Sequence, residues 1–175
     1  MKVDGKAVLK TPKRGVAKAA KEQQSEGPLV APMELEDHLF FLCTQVVYRR
    51  TTAIQAALKP LGLLPTEFRV LSSLLRKGPL SMQELSQWTA YERTRLTHLL
   101  HHMEERGWAT RTSSETDKRT VMVQATPVGE QLFATAKAAV DAVTDVITSN
   151  NSEAELKLVR KALRTMRSKL IEMGT

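Results

Sequence analysis

The chain has 175 residues, room for one domain or for a small domain with an attached oligomerisation element, which argues against a multidomain enzyme. Hydrophobic residues make up 42% and charged residues 26%, while only 8 Gly, 4 Phe and 2 Tyr are present; this is material for a helical core and poor material for a glycine-punctuated sandwich or barrel. Lys and Arg number 26 against 19 Asp and Glu, and the resulting charge of +7 points to a polyanion, either nucleic acid or a membrane surface.

Residues 1–28 hold 7 basic and 3 acidic groups, more than half of the net charge. Residues 1–32 lack a sustained apolar face and read as a flexible basic arm. The single cysteine, Cys43, cannot form an intrachain disulfide, no apolar run approaches the roughly 18 residues of a membrane span, and the N-terminus shows no secretory pattern. A soluble, cytoplasmic protein with no membrane association is expected.

From Leu35 the pattern changes. Leu35, Leu39, Leu42, Val46 and Ala53 recur at helical spacing, and Phe40, Val47, Ile54 and Leu58 supply a second stripe. A helix over 35–58 that is apolar on two sides is buried twice, on its own chain and on a partner, before Pro60 and Gly62 end it. Pro65, Phe68, Val70, Leu71, Leu74 and Leu75 give a shorter helix stopped at Gly78-Pro79. Ser81-Met82-Gln83-Glu84 is a capping box, and Thr89-Ala90-Tyr91-Glu92 repeats the signal eight residues later. Two capped starts so close leave a short helix, a turn, and a second helix running to Arg106 with Gly107 as its stop, the layout of a helix-turn-helix.

Beyond Gly107, Trp108 to Arg111 and Val121 to Val123 read as two strands around a polar turn, which behind a helix-turn-helix makes a wing. Thr126 then caps a helix with Pro127 at its first position and a stripe of Val128, Leu132, Phe133, Ala136, Val140, Val143 and Ile147. Ser152-Glu153-Ala154-Glu155 is another capping box, and Leu156, Val159, Leu163, Met166 and Leu170 follow at spacings of three and four, a narrow seam suited to helix pairing. The expected fold is mainly α with a small β-wing.

On the second helix of the helix-turn-helix, Leu96, Leu99, Leu100 and Met103 share one face, so Tyr91, Thr94, His98, His101 and Glu105 point away, with Arg95 and His102 on the flank. Arg can bond guanine bidentately and Thr and His can contact bases or phosphate; an ordinary solvated face has the same pattern. In the wing, Asp117 two residues before Arg119 can fix that guanidinium for a narrow minor groove and Lys118 can reach phosphate, although a solvated hairpin tip reads the same way. Trp88 and Trp108 are expected to plug the junction of helix-turn-helix and wing.

In order and spacing, Leu61-Gly62-Leu63, Phe68-Arg69-Val70-Leu71, Glu84-Leu85, Arg106-Gly107-Trp108, Asp117-Lys118-Arg119 and Ala125-Thr126-Pro127-Val128-Gly129 resemble the MarR family of winged-helix transcriptional regulators. The resemblance implies a homodimer with interlocked terminal helices, two lobes gripping a pseudo-palindromic operator in double-stranded DNA, and a small-molecule effector. It divides the chain into the basic arm at 1–32, a dimerisation region at 33–60 and 126–175, and a DNA-binding domain at 61–125. By position it assigns Thr94, Arg95, Thr97 and His98 to the major groove, Arg119 to the minor groove and Asp117 to its anchor. Two positions depart from the family: Leu64 stands where Thr commonly caps the second helix, and His98 often corresponds to Arg.

The implied effectors are aromatic carboxylates or their thioesters, and Tyr48, Arg49 and Arg69 lie on elements that can line such a cleft; structural ion pairs and interface packing account for the same three residues. Some relatives sense hydroperoxides through a cysteine early in the first helix, but here Phe40 holds that position, and Cys43, one turn later, reads as a packed structural residue. His98, His101 and His102 place imidazoles at metal-binding spacing without a clear third ligand from another element, so no metal and no cofactor is expected. With no Gly-rich phosphate loop and no nucleophile motif, no catalytic residue is assigned. The leading reading is a dimeric, ligand-relieved repressor; a redox- or metal-responsive regulator of the same fold and a winged-helix protein-interaction module are the alternatives.

Overall fold

The computed structural model describes residues 34–113 and 120–174, and it falls into two units, residues 1–42 and 43–175. In the first, a 3-10 turn at Leu35–Asp37 leads through His38, whose ring Nδ1 accepts a hydrogen bond from the Phe41 N–H at 3.3 Å. That bond satisfies one of the free amides at the start of helix α1, Leu39–Leu58. The helix thus begins four residues later than the apolar spacing predicts, because the chain breaks at His38.

The second unit holds a mostly helical lobe. Helix α2 (Pro65–Lys77) is followed by strand β1 (Leu80–Ser81), helices α3 (Met82–Thr89) and α4 (Arg93–Glu105), strands β2 (Ala109–Ser113) and β3 (Val121–Ala125), and helices α5 (Pro127–Thr148) and α6 (Glu153–Glu172). The strands form one antiparallel sheet in the order β1-β3-β2, with Leu80 opposite Val123 and Ala109 opposite Ala125. Two residues of β1 are too short to carry a strand pattern, and Ser81 doubles as the cap of α3, so this strand is not visible in the sequence.

The core gathers Val70, Leu71 and Leu74 of α2, Leu85 of α3, Leu96, Leu100 and Met103 of α4, Val123 of β3, and Phe133, Ala136 and Val140 of α5, with Ile54 and Leu58 from the end of α1. Phe68 stacks on Phe133 with ring centroids 5.0 Å apart, pinning α2 to α5. In α6 no residue is buried, and Val159, Leu163 and Leu170 of its seam are half exposed. Along α1, Val46, Val47 and Tyr48 are exposed as well. Among the described residues no helix is long and apolar enough to cross a membrane.

The predicted caps form at Ser81, Thr126 and Ser152, each accepting from an amide three residues on. Thr89 does not cap α4. It is buried as the last residue of α3 with its Oγ1 donating to the Leu85 carbonyl at 2.6 Å, and α4 starts at Arg93 behind Glu92. Leu64, which has no capping oxygen, still receives half of a capping box: Glu67 Oε2 accepts from the Leu64 N–H at 2.8 Å.

Candidate nucleic-acid interface and adjoining cleft

Three tethers fix α4 against its surroundings. At its C-terminal end Glu104 accepts from the backbone N–H, Nε and Nη2 of Arg111 on β2, at 3.0, 2.9 and 2.5 Å. This fork locks the root of the wing to α4, and the Arg111 guanidinium holds the Glu104 carboxyl below its ordinary range. Arg106, next along, donates to the Gly62 carbonyl at 2.9 Å and lies over the Trp108 ring. Deeper in, His102 Nδ1 lies 2.6 Å from Oε1 of the fully buried Glu67. At the N-terminal end of α3, the Ser81 N–H and hydroxyl both donate to Glu84 and hold its carboxyl below its ordinary range.

With Leu96, Leu100 and Met103 buried, Thr94, Arg95, Thr97 and His98 are all exposed on the N-terminal half of α4. The structure brings together the four residues that the sequence assigns to the major groove. Thr97 donates its Oγ1 to the Arg93 carbonyl at 2.9 Å. It lines a hollow of about 460 Å³ with Ser81, Met82, Gln83, Arg93 and Val121, where the starts of α3 and α4 meet the root of β3. Arg93 and Gln83 are therefore additional polar groups on this surface. The spacing of four between Arg93 and Thr97, which puts both on one face of α4, is the signal in the sequence. Asp117, Lys118 and Arg119 lie outside the described residues.

Beside the helix-turn-helix lies a cleft of about 370 Å³, lined by Arg50, Thr51 and Ile54 of α1, by Phe68, Arg69, Ser72 and Ser73 of α2, and by Trp88 and Ala90. Of the three predicted effector residues only Arg69 is in this lining; Tyr48 and Arg49 are exposed outside it. Arg50, which lines the cleft, sits four and eight residues before the buried Ile54 and Leu58, on the face turned to its own chain. The two tryptophans part company. Trp108 is buried at the junction of α4 and the wing, as expected, whereas Trp88 is 48% exposed on the cleft side of α3, with Lys77 Nζ 4.2 Å from its ring centroid.

The histidines do not converge: His101 faces Glu105 and His102 faces Glu67, and among the described residues no three metal-binding groups come together. Cys43 is a half-buried free thiol.

A capped α3, a short turn, an α4 with a polar outer face and a three-stranded sheet behind it define a winged helix-turn-helix. Residues 61–120 match the MarR family profile. The chain is 35% identical over 72 residues to the multiple antibiotic resistance protein MarR of Salmonella typhimurium, a match covering 41% of this chain and 50% of that protein. It thus spans about half the length of that relative. To the organic hydroperoxide resistance transcriptional regulator of Bacillus subtilis it is 28% identical over 135 residues, 77% of this chain and 90% of that one. The crystal structure of CouR from Rhodococcus jostii RHA1 bound to p-coumaroyl-CoA superposes with a TM-score of 0.72 at 25% identity, covering 77% of this chain and 95% of that one. Over residues 61–120, its winged helix, the chain is similar to the MarR family of regulators.

Proposed function

We propose that this chain is a sequence-specific, double-stranded-DNA-binding transcriptional regulator, a homodimeric repressor released by a small aromatic acid or its thioester. The observation that carries the reading is the outer face of α4, where Thr94, Arg95, Thr97 and His98 are exposed and joined by Arg93 while Leu96, Leu100 and Met103 of the inner face are buried. Its N-terminal half is the part of a recognition helix that meets base edges. The sequence adds Asp117, Lys118 and Arg119 at the wing and a basic arm whose charge of 7 minus 3, or +4, suits phosphate contact without base selection. Being transcriptional, the work is cytoplasmic and non-catalytic.

Dimerisation rests on the uncovered apolar residues of α1 and α6, which a second copy of the chain would bury. That division keeps 33–60 and 126–175 for assembly and 61–125 for DNA. The ligand reading rests on the cleft, which combines the cations Arg50 and Arg69 with the aromatic walls Phe68 and Trp88, the chemistry that an aromatic carboxylate requires. The test is binding of the full chain to its operator and to random duplex at one salt concentration. Arg95→Ala should weaken operator binding by about 1–3 kcal/mol and random binding by less, since a base-directed Arg discriminates. Equal losses on both duplexes would remove Arg95 from the readout.

A further inference from the structure

Two guanidinium groups share one aromatic ring at the helix-turn-helix corner. The Cζ of Arg69, a wall of the cleft, lies 5.2 Å from the centroid of Tyr91, and the Cζ of Arg95 on the outer face of α4 lies 4.6 Å from the same centroid. Arg69 also donates from Nη1 to the Thr89 carbonyl at 3.2 Å, and the Tyr91 carbonyl accepts from the Ser86 hydroxyl at 2.6 Å. The three-residue turn between α3 and α4 is therefore held from the cleft side by Arg69. We propose that Arg69, Tyr91 and Arg95 form a relay in which an anion bound in the cleft changes the hold of Tyr91 on Arg95, making Tyr91 a positioning residue for DNA readout. The proposal rests on the effector and DNA readings above and adds the residues that couple them.

The physical argument is competition for one ring. The negative face of an aromatic ring attracts a cation, and two cations at one ring also repel each other, so each weakens the hold on the other. A ligand carboxylate in the cleft offers Arg69 charge-assisted, bidentate bonds, which outweigh a neutral carbonyl and half a share of a ring. Once Arg69 turns to the ligand, Tyr91 holds Arg95 alone and more tightly. Arg95 is then kept back against Tyr91 instead of reaching a base, and the turn loses its tie to α2 at Thr89. Both effects lower discrimination for operator DNA, the direction a released repressor needs.

The test follows the side-chain Nε–Hε signals of Arg69 and Arg95 by NMR in the full chain without DNA, with 4-hydroxycinnamate as probe and its uncharged methyl ester as control. Arg69→Ala should increase the ring-current shift of the Arg95 signal. Tyr91→Leu should abolish that shift and Tyr91→Phe, which keeps the ring, should restore it; circular dichroism establishes that each variant is folded. The acid should move both arginine signals in the wild type and only Arg69 in Tyr91→Leu, while the ester moves neither. On DNA, Arg69→Ala should lower the operator-to-random affinity ratio by about threefold, the scale of one exposed cation–π contact, and should have a smaller effect in the Tyr91→Leu background, where only the tie to Thr89 is left to lose.

An Arg95 signal indifferent to Arg69→Ala, or additive losses of discrimination in the double variant, overturns the relay. An Arg69 signal indifferent to the acid overturns the cleft as an anion site instead, and the Arg69→Ala comparison then decides the relay on its own. A wild type that fails to distinguish operator from random DNA overturns the regulator reading and leaves the NMR comparison standing.

Discussion

The imidazole Nδ1 of His102 lies 2.6 Å from Oε1 of Glu67, a carboxylate with no exposed surface, and this contact joins α4 to the start of α2 across 35 residues of sequence. With Oε2 taken by the Leu64 N–H, both oxygens of Glu67 are satisfied. His102→Ala should cost about 1–3 kcal/mol, the usual penalty for stranding a buried polar group, read as a fall in the urea midpoint. Glu67→Gln keeps an acceptor for Leu64 and offers an amide N–H to the His102 tautomer whose proton sits on Nε2, and should cost less. If both variants were as stable as the wild type, the pair would contribute nothing to holding α4.

Gly129 is the second fixed point. A Cβ there would lie 2.1 Å from the Trp108 carbonyl oxygen, a backbone atom that cannot give way cheaply. The close approach exists because Thr126 Oγ1 accepts from the Gly129 N–H at 3.1 Å and donates to the Gly107 carbonyl at 2.5 Å, drawing the first turn of α5 onto the end of α4. Gly129→Ala, ordinarily favourable in a helix, should here destabilise by about 2 kcal/mol or more through overpacking. A thermal midpoint at or above the wild-type value would mean that α5 can shift away from Trp108 without loss.

These particulars show which features the sequence discloses. Ser81 with Glu84, Thr126 with Pro127, and Ser152 with Glu155 are legible because a cap is settled within four residues. Thr89 with Glu92 has the same spelling, yet its hydroxyl turns to Leu85 once tertiary packing has buried the residue. The choice between Arg49 and Arg50 is likewise tertiary: a helix apolar on two sides does not say which side faces its own chain until Ile54 and Leu58 are seen in the core. The polar face of α4 was legible because Leu96, Leu100 and Met103 fix its phase, whereas the cation pair on Tyr91 depends on a turn whose start the capping signal misplaced.

Ala90 closes α3 with φ 55° and ψ 38°, the left-handed conformation in a residue that carries a Cβ. Such a conformation costs a non-glycine residue roughly 1–2 kcal/mol. Ala90→Gly relieves it and loses part of the gain to the greater freedom of the unfolded chain, leaving a net stabilisation of about 0.5 kcal/mol. A midpoint in urea lower than that of the wild type would show that Ala90 makes a packing contribution larger than its strain.

Leu163 stands at the centre of the α6 seam and is 47% exposed in the single chain. If a second copy covers it, Leu163→Glu places a charge in an apolar interface and should split or unfold the dimer. Light scattering with circular dichroism checks this: a folded variant of undiminished mass would place the seam outside the interface.

Acid stability offers a separate reading of the wing root. Hydrogen bonding to Arg111 lowers the Glu104 pKa from its ordinary 4.5, so the unfolded chain binds a proton there more readily than the folded one. The stabilisation is therefore fully present above about pH 4.5 and is lost as pH falls through the lower folded-state value. Glu84 and Glu155 are lowered as well, by their capping serines, so the wild-type acid curve alone cannot report on Glu104. The difference between wild type and Glu104→Gln can, because the capping carboxylates are common to both. With 26% of the Glu104 side chain and 30% of the Arg111 side chain exposed, water screens the fork, and the neutral-pH difference should be about 1 kcal/mol rather than the 1.5–3 of a buried charged bond. That difference should hold between pH 7 and 5 and shrink as pH falls towards the acid limb. A gap between the two proteins that stayed constant down to the lowest pH at which both remain folded would assign the tether to shape and neutral hydrogen bonding, leaving the Glu104 charge without a part in it.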